Sequence, residues 1–145
     1  MKNLFYCLLI SIPVCAFISG CSSGNSDSSF KLEKGEYNFV MNDSNKIKLA
    51  DGIINIKSYS KDKISGTYEF TKKYKDFDGF DVMNGEFSGE ISKAENKVFI
   101  NTNPKIADSN VFWNLEFKKS GLTGSWVHSV FRGNASRGYV KITSR

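Results

Sequence analysis

The sequence predicts an all-β domain of about eight antiparallel strands in a meander, closed or nearly closed into a small barrel. Three observations carry this. From Tyr37 to Ile142 apolar and polar residues alternate with a period of two, and no stretch keeps a helical period beyond about two turns. Turn-forming pairs break the alternation at short intervals (Asp51-Gly52, Asp78-Gly79, Ser120-Gly121, Gly133-Asn134), so each strand pairs most simply with the next. Eight strands left open would present two unpaired edges, and closure removes that liability.

The elements follow in order. The domain is expected to begin between Phe30 and Tyr37, with the first strand near Glu36 to Met41. A second, near Ile53 to Ser58, turns Ile54 and Ile56 inward. The third, near Lys63 to Tyr74, contributes Tyr68 and Phe70. In the fourth, near Val82 to Ser92, the alternation is plainest: Met83, Gly85, Phe87, Gly89 and Ile91 face one way, and Asn84, Glu86, Ser88, Glu90 and Ser92 the other. Val98 and Ile100 mark the fifth, near Lys97 to Thr102. Val111, Trp113, Leu115 and Phe117 mark the sixth, near Val111 to Lys118. Leu122 and Trp126 mark the seventh, near Leu122 to Phe131, and Val140 and Ile142 the eighth, near Tyr139 to Thr143. Gly66, Gly85, Gly89 and Gly124 fall on the inner face, where they relieve crowding at bends. Asn103 to Asp108, with Asn as N-cap and Pro104 at the first helical position, is expected to form one helical turn at an end of the barrel.

Ile64-Ser65-Gly66-Thr67-Tyr68 and Leu122-Thr123-Gly124-Ser125-Trp126 each place an aliphatic residue, a glycine and an aromatic ring on one inward face. These motifs resemble the strands of small meander barrels of the avidin and lipocalin type. The resemblance implies architecture only, with no ligand and no site.

The first twenty residues have the layout of a secretory signal, with Lys2 followed by an apolar stretch from Leu4 to Phe17 that is short of the ~20 residues a membrane helix needs. The segment ends Ile18-Ser19-Gly20-Cys21, which resembles the lipobox of bacterial lipoproteins. That resemblance implies cleavage after Gly20 and diacylglycerol on the Cys21 sulfur, hence a membrane partner reached through lipid. It also implies the outer membrane in a two-membraned cell, since Ser22 stands where an inner-membrane protein of that class carries aspartate. Residues 1–20 are thus read as signal, residues 21–29 as lipidated cysteine and flexible tether, and residues 30–145 as one domain. The tether, Ser22 to Ser29, is polar throughout, with a coil reach of about 15 Å.

Cysteine arithmetic is then simple. Cys7 and Cys15 leave with the signal and Cys21 is acylated, so no thiol remains for a disulfide, a nucleophile or zinc. The domain must be stabilised by its core, which about 115 residues can supply. The mature chain carries nineteen basic and fifteen acidic side chains, net +4. Beyond Ser109 the bases are Lys118, Lys119, Arg132, Arg137, Lys141 and Arg145 against Glu116 alone. Such an end suits acidic partners or anionic head groups, or simply a solvated face.

Candidate chemistry is sparse. His128 is the only histidine, and it shares a face with Trp126 and Val130. Ser129, its neighbour in sequence, points to the other face, out of reach for nucleophilic catalysis. One imidazole without cysteine makes a poor zinc site. Asp76, Asp78 and Asp81 loosely resemble the start of a calcium loop, but the glycine follows the second acid, not the third. No cofactor, metal or nucleic-acid partner is expected.

Binding offers more. The interior should be filled by its own rings, leaving no roomy cavity. On the exterior, parity turns Phe99, Phe112, Val127, Phe131 and Tyr139 outward on four successive strands, beside Arg132, Arg137 and Lys141. Phe112 is expected opposite Val127. A four-residue turn at Gly133 to Ser136 would set Phe131 opposite Tyr139. An apolar strip rimmed by charge marks a partner surface. The expected function is therefore a non-catalytic, membrane-anchored envelope module that binds a protein or envelope polymer. Alternatives are inhibition of a periplasmic hydrolase and a small-ligand carrier whose mouth is lined by Trp126, His128 and Tyr68; an enzyme ranks last.

Overall fold

The structure, a computed structural model, describes residues 30–145 apart from the side chains of Asn134 and Ala135. The signal segment, Cys21 and the tether lie outside the described residues. Eight strands run in sequence order: β1 Gly35–Asp43, β2 Lys48–Tyr59, β3 Lys63–Lys73, β4 Glu86–Ser92, β5 Lys97–Asn101, β6 Ser109–Lys118, β7 Gly121–Val130 and β8 Gly133–Ser144. Each pairs antiparallel with the next, and β8 closes on β1 from Tyr37↔Ser144 to Asp43↔Gly138. The fold is the closed eight-stranded meander barrel that the alternation predicts.

The inward set is the predicted one. Ile54, Ile56, Tyr68, Met83, Phe87, Ile91, Val98, Ile100, Val111, Trp113, Leu115, Leu122, Trp126, Val140 and Ile142 are all buried, and Phe70 and Phe117 pack against them half-buried. β1 adds Tyr37, Phe39 and Met41. At the centre Phe39 lies 5.2 Å from Trp113 and 6.3 Å from Tyr68 between ring centroids, edge-on or tilted as aromatic quadrupoles prefer. Gly66 and Gly124 sit where a Cβ would overlap the carbonyl oxygens of Asn55 and Asn114, so glycine permits the tight coiling of the wall there.

Several expectations change. Asp51-Gly52 is not a turn: both residues lie inside β2, with Gly52 opposite Phe39, and the β1–β2 turn is residues 44–47. β4 begins at Glu86, not Val82. Asp78–Val82 is a 3-10 helix that drives Phe80 into the barrel, and Gly85, at φ +84°, lies outside the strand. Asn103 to Asp108 makes a turn and no helix, with Ile106 N–H donating to the Asn103 carbonyl at 3.4 Å. The Asn103 side chain ties this turn to the β3–β4 segment: its Nδ2 donates to the Val82 carbonyl at 2.7 Å, and its Oδ1 accepts from Asn84 Nδ2 at 2.9 Å and from Lys105 N–H at 3.3 Å. β7 ends at Val130, and the β7–β8 turn is Phe131-Arg132, because Gly133 at φ +117° already pairs with Val130. In consequence, Tyr139 lies opposite Ser125 and Asn42, not Phe131.

The two ends of the barrel are closed differently. Residues 30–34 reach it at the end that holds the β2–β3, β4–β5 and β6–β7 turns, called here the tether end. Leu32 is buried there, and the Tyr37 hydroxyl accepts from Glu33 N–H at 2.9 Å and donates to Glu33 C=O at 3.1 Å. The far end is stoppered by the segment between β3 and β4. Phe77 packs 5.1 Å from Phe80 and 4.7 Å from Trp126, and Phe80 4.9 Å from Phe70.

Candidate functional site

The outer wall of β5 to β8 carries the predicted strip in part. Phe99 and Phe112 stack outside the barrel with centroids 5.5 Å apart and planes 23° apart. The geometry follows from register: Phe99 pairs with Asn114 and Phe112 with Asn101, so the two rings meet on the diagonal. Phe112 lies opposite Val127, as expected, and Val127 opposite Arg137. Tyr139, two residues along β8 and 48% exposed, extends the surface, and Lys141, opposite Thr123, borders it. Phe99, Phe112, Val127 and Tyr139 therefore come together, flanked by Arg137 and Lys141. Phe131 and Arg132 do not join them, because the tight turn lifts both to the hairpin tip, where Phe131 is 92% exposed.

Shallow depressions flank Phe99 on the outer wall. One of about 720 Å³ is bordered by Glu90, Lys97, Asn114, Glu116 and Ser125. A second, of about 580 Å³, is bordered by Ser58, Ser60, Ser65, Ser88 and Glu90. The ring of Phe99 forms part of the wall of both, so the apolar strip opens on its β4 side onto polar, hydroxyl-rich surface.

The residues proposed for a carrier mouth are committed to structure. The Tyr68 hydroxyl donates to the Thr102 carbonyl at 2.9 Å, and burial pushes its pKa up to about 12. Trp126 Nε1 donates to the Asn42 carbonyl at 2.8 Å. His128 is buried under Phe77, ring centroids 5.7 Å apart, and burial holds its pKa below the ordinary value, with Asp78 opposing.

One pairing escaped the sequence. Ser109 Oγ lies 3.2 Å from His128 Nε2, an arrangement missed because the sixth strand was expected to start two residues later, at Val111. Counting back by parity from Val111 finds Ser109 on the inner face. Among the described residues His128 Nδ1 is buried with no hydrogen-bond partner, so none of them supplies the third, orienting member of a hydroxyl-nucleophile system. Among the described residues no three of His, Cys, Asp and Glu converge closely enough to hold a metal ion, and Asp78 and Asp81 serve instead on the 3-10 helix.

Comparison with family models, curated proteins and solved structures gives no match, so the site rests on geometry alone.

Proposed function

We propose that the chain is a lipid-anchored envelope protein, modified on Cys21, whose barrel is a non-catalytic binding module for another envelope protein or polymer. The outer wall of β5 to β8 is the contact surface. The observation that carries the reading is the Phe99–Phe112 stack, continuous with Val127 and Tyr139 and bordered by Arg137 and Lys141. Large rings held outside a barrel, next to cations, supply apolar area at little cost in side-chain entropy, with charge at the rim to set orientation. Phe131 and Arg132 belong to a separate tip and are not part of this surface.

With a packed interior and Phe77 over Trp126, a carrier would have at this mouth a depression of about 410 Å³ bordered by Leu49, Phe77, Trp126 and Arg137. In a cell with two membranes, Ser22 favours the outer one.

The test compares capture of partners from envelope extract by the full-length protein and by two variants. Phe112→Asp with Tyr139→Asp is expected to abolish specific capture while leaving the circular dichroism spectrum intact. Phe131→Ser is expected to leave capture unchanged. Capture that survives the double variant would place the contact elsewhere.

A further inference from the structure

Charge and apolar exposure are divided between the barrel's two ends. Apart from Phe99 and Tyr139 on the wall, the exposed large apolar residues are Ile47, Tyr74, Ile106 and Phe131, and all four belong to the far end. Among the described residues the tether end exposes none of this kind. It is basic instead, with ten Lys and Arg against six Asp and Glu around its turns and chain ends, whereas the far end carries eight against seven.

The acids at the tether end are largely neutralised already. Glu33 pairs with Lys31 at 2.6 Å, Glu95 with Lys97 at 3.2 Å, Glu116 with Lys118 at 2.6 Å, and Glu36 with Arg145. That leaves Lys34, Lys57, Lys61, Lys63 and Lys93 exposed and without an ion pair among the described residues, beside only Asp62 and Glu90, whereas the unpaired cations of the far end lie among Asp76, Asp78, Asp81 and Asp108.

We propose that the tether end of the barrel lies against an anionic lipid surface, with these five lysines facing the head groups. The inference rests on the anchor reading for proximity and on charge for orientation. Residues 30–34 reach the barrel at this end, and only eight residues, Ser22 to Ser29, separate them from Cys21. So short a connection keeps this end near the anchor, and where the lysines approach to within the Debye length of about 8 Å at physiological salt their attraction to a charged surface is only partly screened. Tethering makes the second contact intramolecular, and a weak attraction then suffices to orient the domain. With no exposed large apolar side chain at this end, the contact is electrostatic and peripheral. It leaves the wall of β5 to β8 and the far rim open to partners.

The experiment uses full-length protein purified from membranes, with the mass at Cys21 read first. The protein is reconstituted on vesicles of phosphatidylcholine alone or with added phosphatidylglycerol. Exposed lysines are then acetylated and quantified by peptide mass spectrometry. On phosphatidylglycerol, labelling of Lys61 and Lys93 is expected to fall several-fold relative to Lys46 and Lys105 at the far end, and high salt restores it. Lys61→Glu with Lys93→Glu should expose Lys34 and Lys57 again, while Lys46→Glu with Lys105→Glu should change nothing. Equal labelling of the two ends, with lipid present on Cys21, overturns the orientation and leaves the anchor standing.

If Cys21 carries no lipid, the anchor reading falls and flotation decides the face. Salt-sensitive flotation with phosphatidylglycerol alone, weakened about fivefold by each lysine removed, supports the proposal. Absence of flotation overturns it, as does protection by soluble polyphosphate without protection by vesicles.

Discussion

Trp113 and Trp126 face each other across β6 and β7, both buried, yet among the described residues only Trp126 finds a partner for its indole N–H. Trp126 Nε1 reaches past Gly138 of β8 to the Asn42 carbonyl of β1 at 2.8 Å, whereas Trp113 Nε1 is buried with no partner among the described residues. A hydrogen bond adds about 1 kcal/mol net, and a buried donor left alone costs about 1–3 kcal/mol. The two indoles are therefore unequal despite similar burial.

Replacing each with phenylalanine exposes the difference. Both changes leave a similar void, but Trp113→Phe also removes an unsatisfied donor, while Trp126→Phe strands the Asn42 carbonyl. Urea unfolding should show Trp126→Phe to be the more destabilising by about 1–2 kcal/mol. Equal losses, or the reverse order, would count against this account of the core.

Gly138 makes room for that hydrogen bond. It pairs with Trp126, and a Cβ there would overlap the Asn42 carbonyl oxygen and come within 2.7 Å of the indole. Neither neighbour is a flexible side-chain end. Gly138→Ala is expected to cost about 1–3 kcal/mol of stability and to alter the emission of Trp126, read by denaturation followed through fluorescence.

Phe77 acts as the stopper of the far end through its contacts with Phe80, Trp126 and His128. Phe77→Ala should destabilise the fold by about 2–4 kcal/mol. Tryptophan quenching by acrylamide should increase, because Trp126 loses its cover. Quenching that stays at the native level would show that another residue closes this end.

His128 should give the barrel a pH dependence in a defined window. Burial lowers its folded pKa below the ordinary 6.5, against the pull of Asp78, so the unfolded chain binds the proton more readily. The stabilisation is complete above pH ~6.5 and is lost as pH falls through the folded value, with a slope of at most about 1.4 kcal/mol per pH unit. Hydrogen bonding to Ile47 N–H holds the Asp43 carboxyl low, and at Asp51 bonds from Tyr74 and Lys48 outweigh the opposing effect of burial. Those carboxylates lose their contribution only below pH ~4. Between pH 7 and 5, at fixed salt, His128→Gln should therefore flatten the stability profile; an unchanged slope would assign the dependence to another group.

Much of the wall was legible because strand parity is a local property. Val98 and Ile100, or Trp113 and Leu115, declare their face through their neighbours alone, and Phe112 opposite Val127 follows once Lys119-Ser120 is taken as a tight turn. The errors fell where a turn sets the register. Phe131 moved to the tip because Gly133, with its positive φ, closes the hairpin two residues earlier than its Gly-Asn chemistry indicated. Ser109 and His128 were separated in prediction by nineteen residues of sequence and a strand boundary placed two residues late.

The sequence alone determined the all-β class, the order of eight strands, most of the inward set and the outward parity of Phe99, Phe112, Val127 and Tyr139, since alternation acts over a few positions. Only the tertiary structure decided which rings meet, which end each loop occupies, that Phe77 stoppers one end and Leu32 the other, and that net positive charge collects where residues 30–34 reach the barrel. Those features depend on closure of β8 onto β1 and on loops packing back over the core. Such relationships between distant segments leave no periodic mark along the chain.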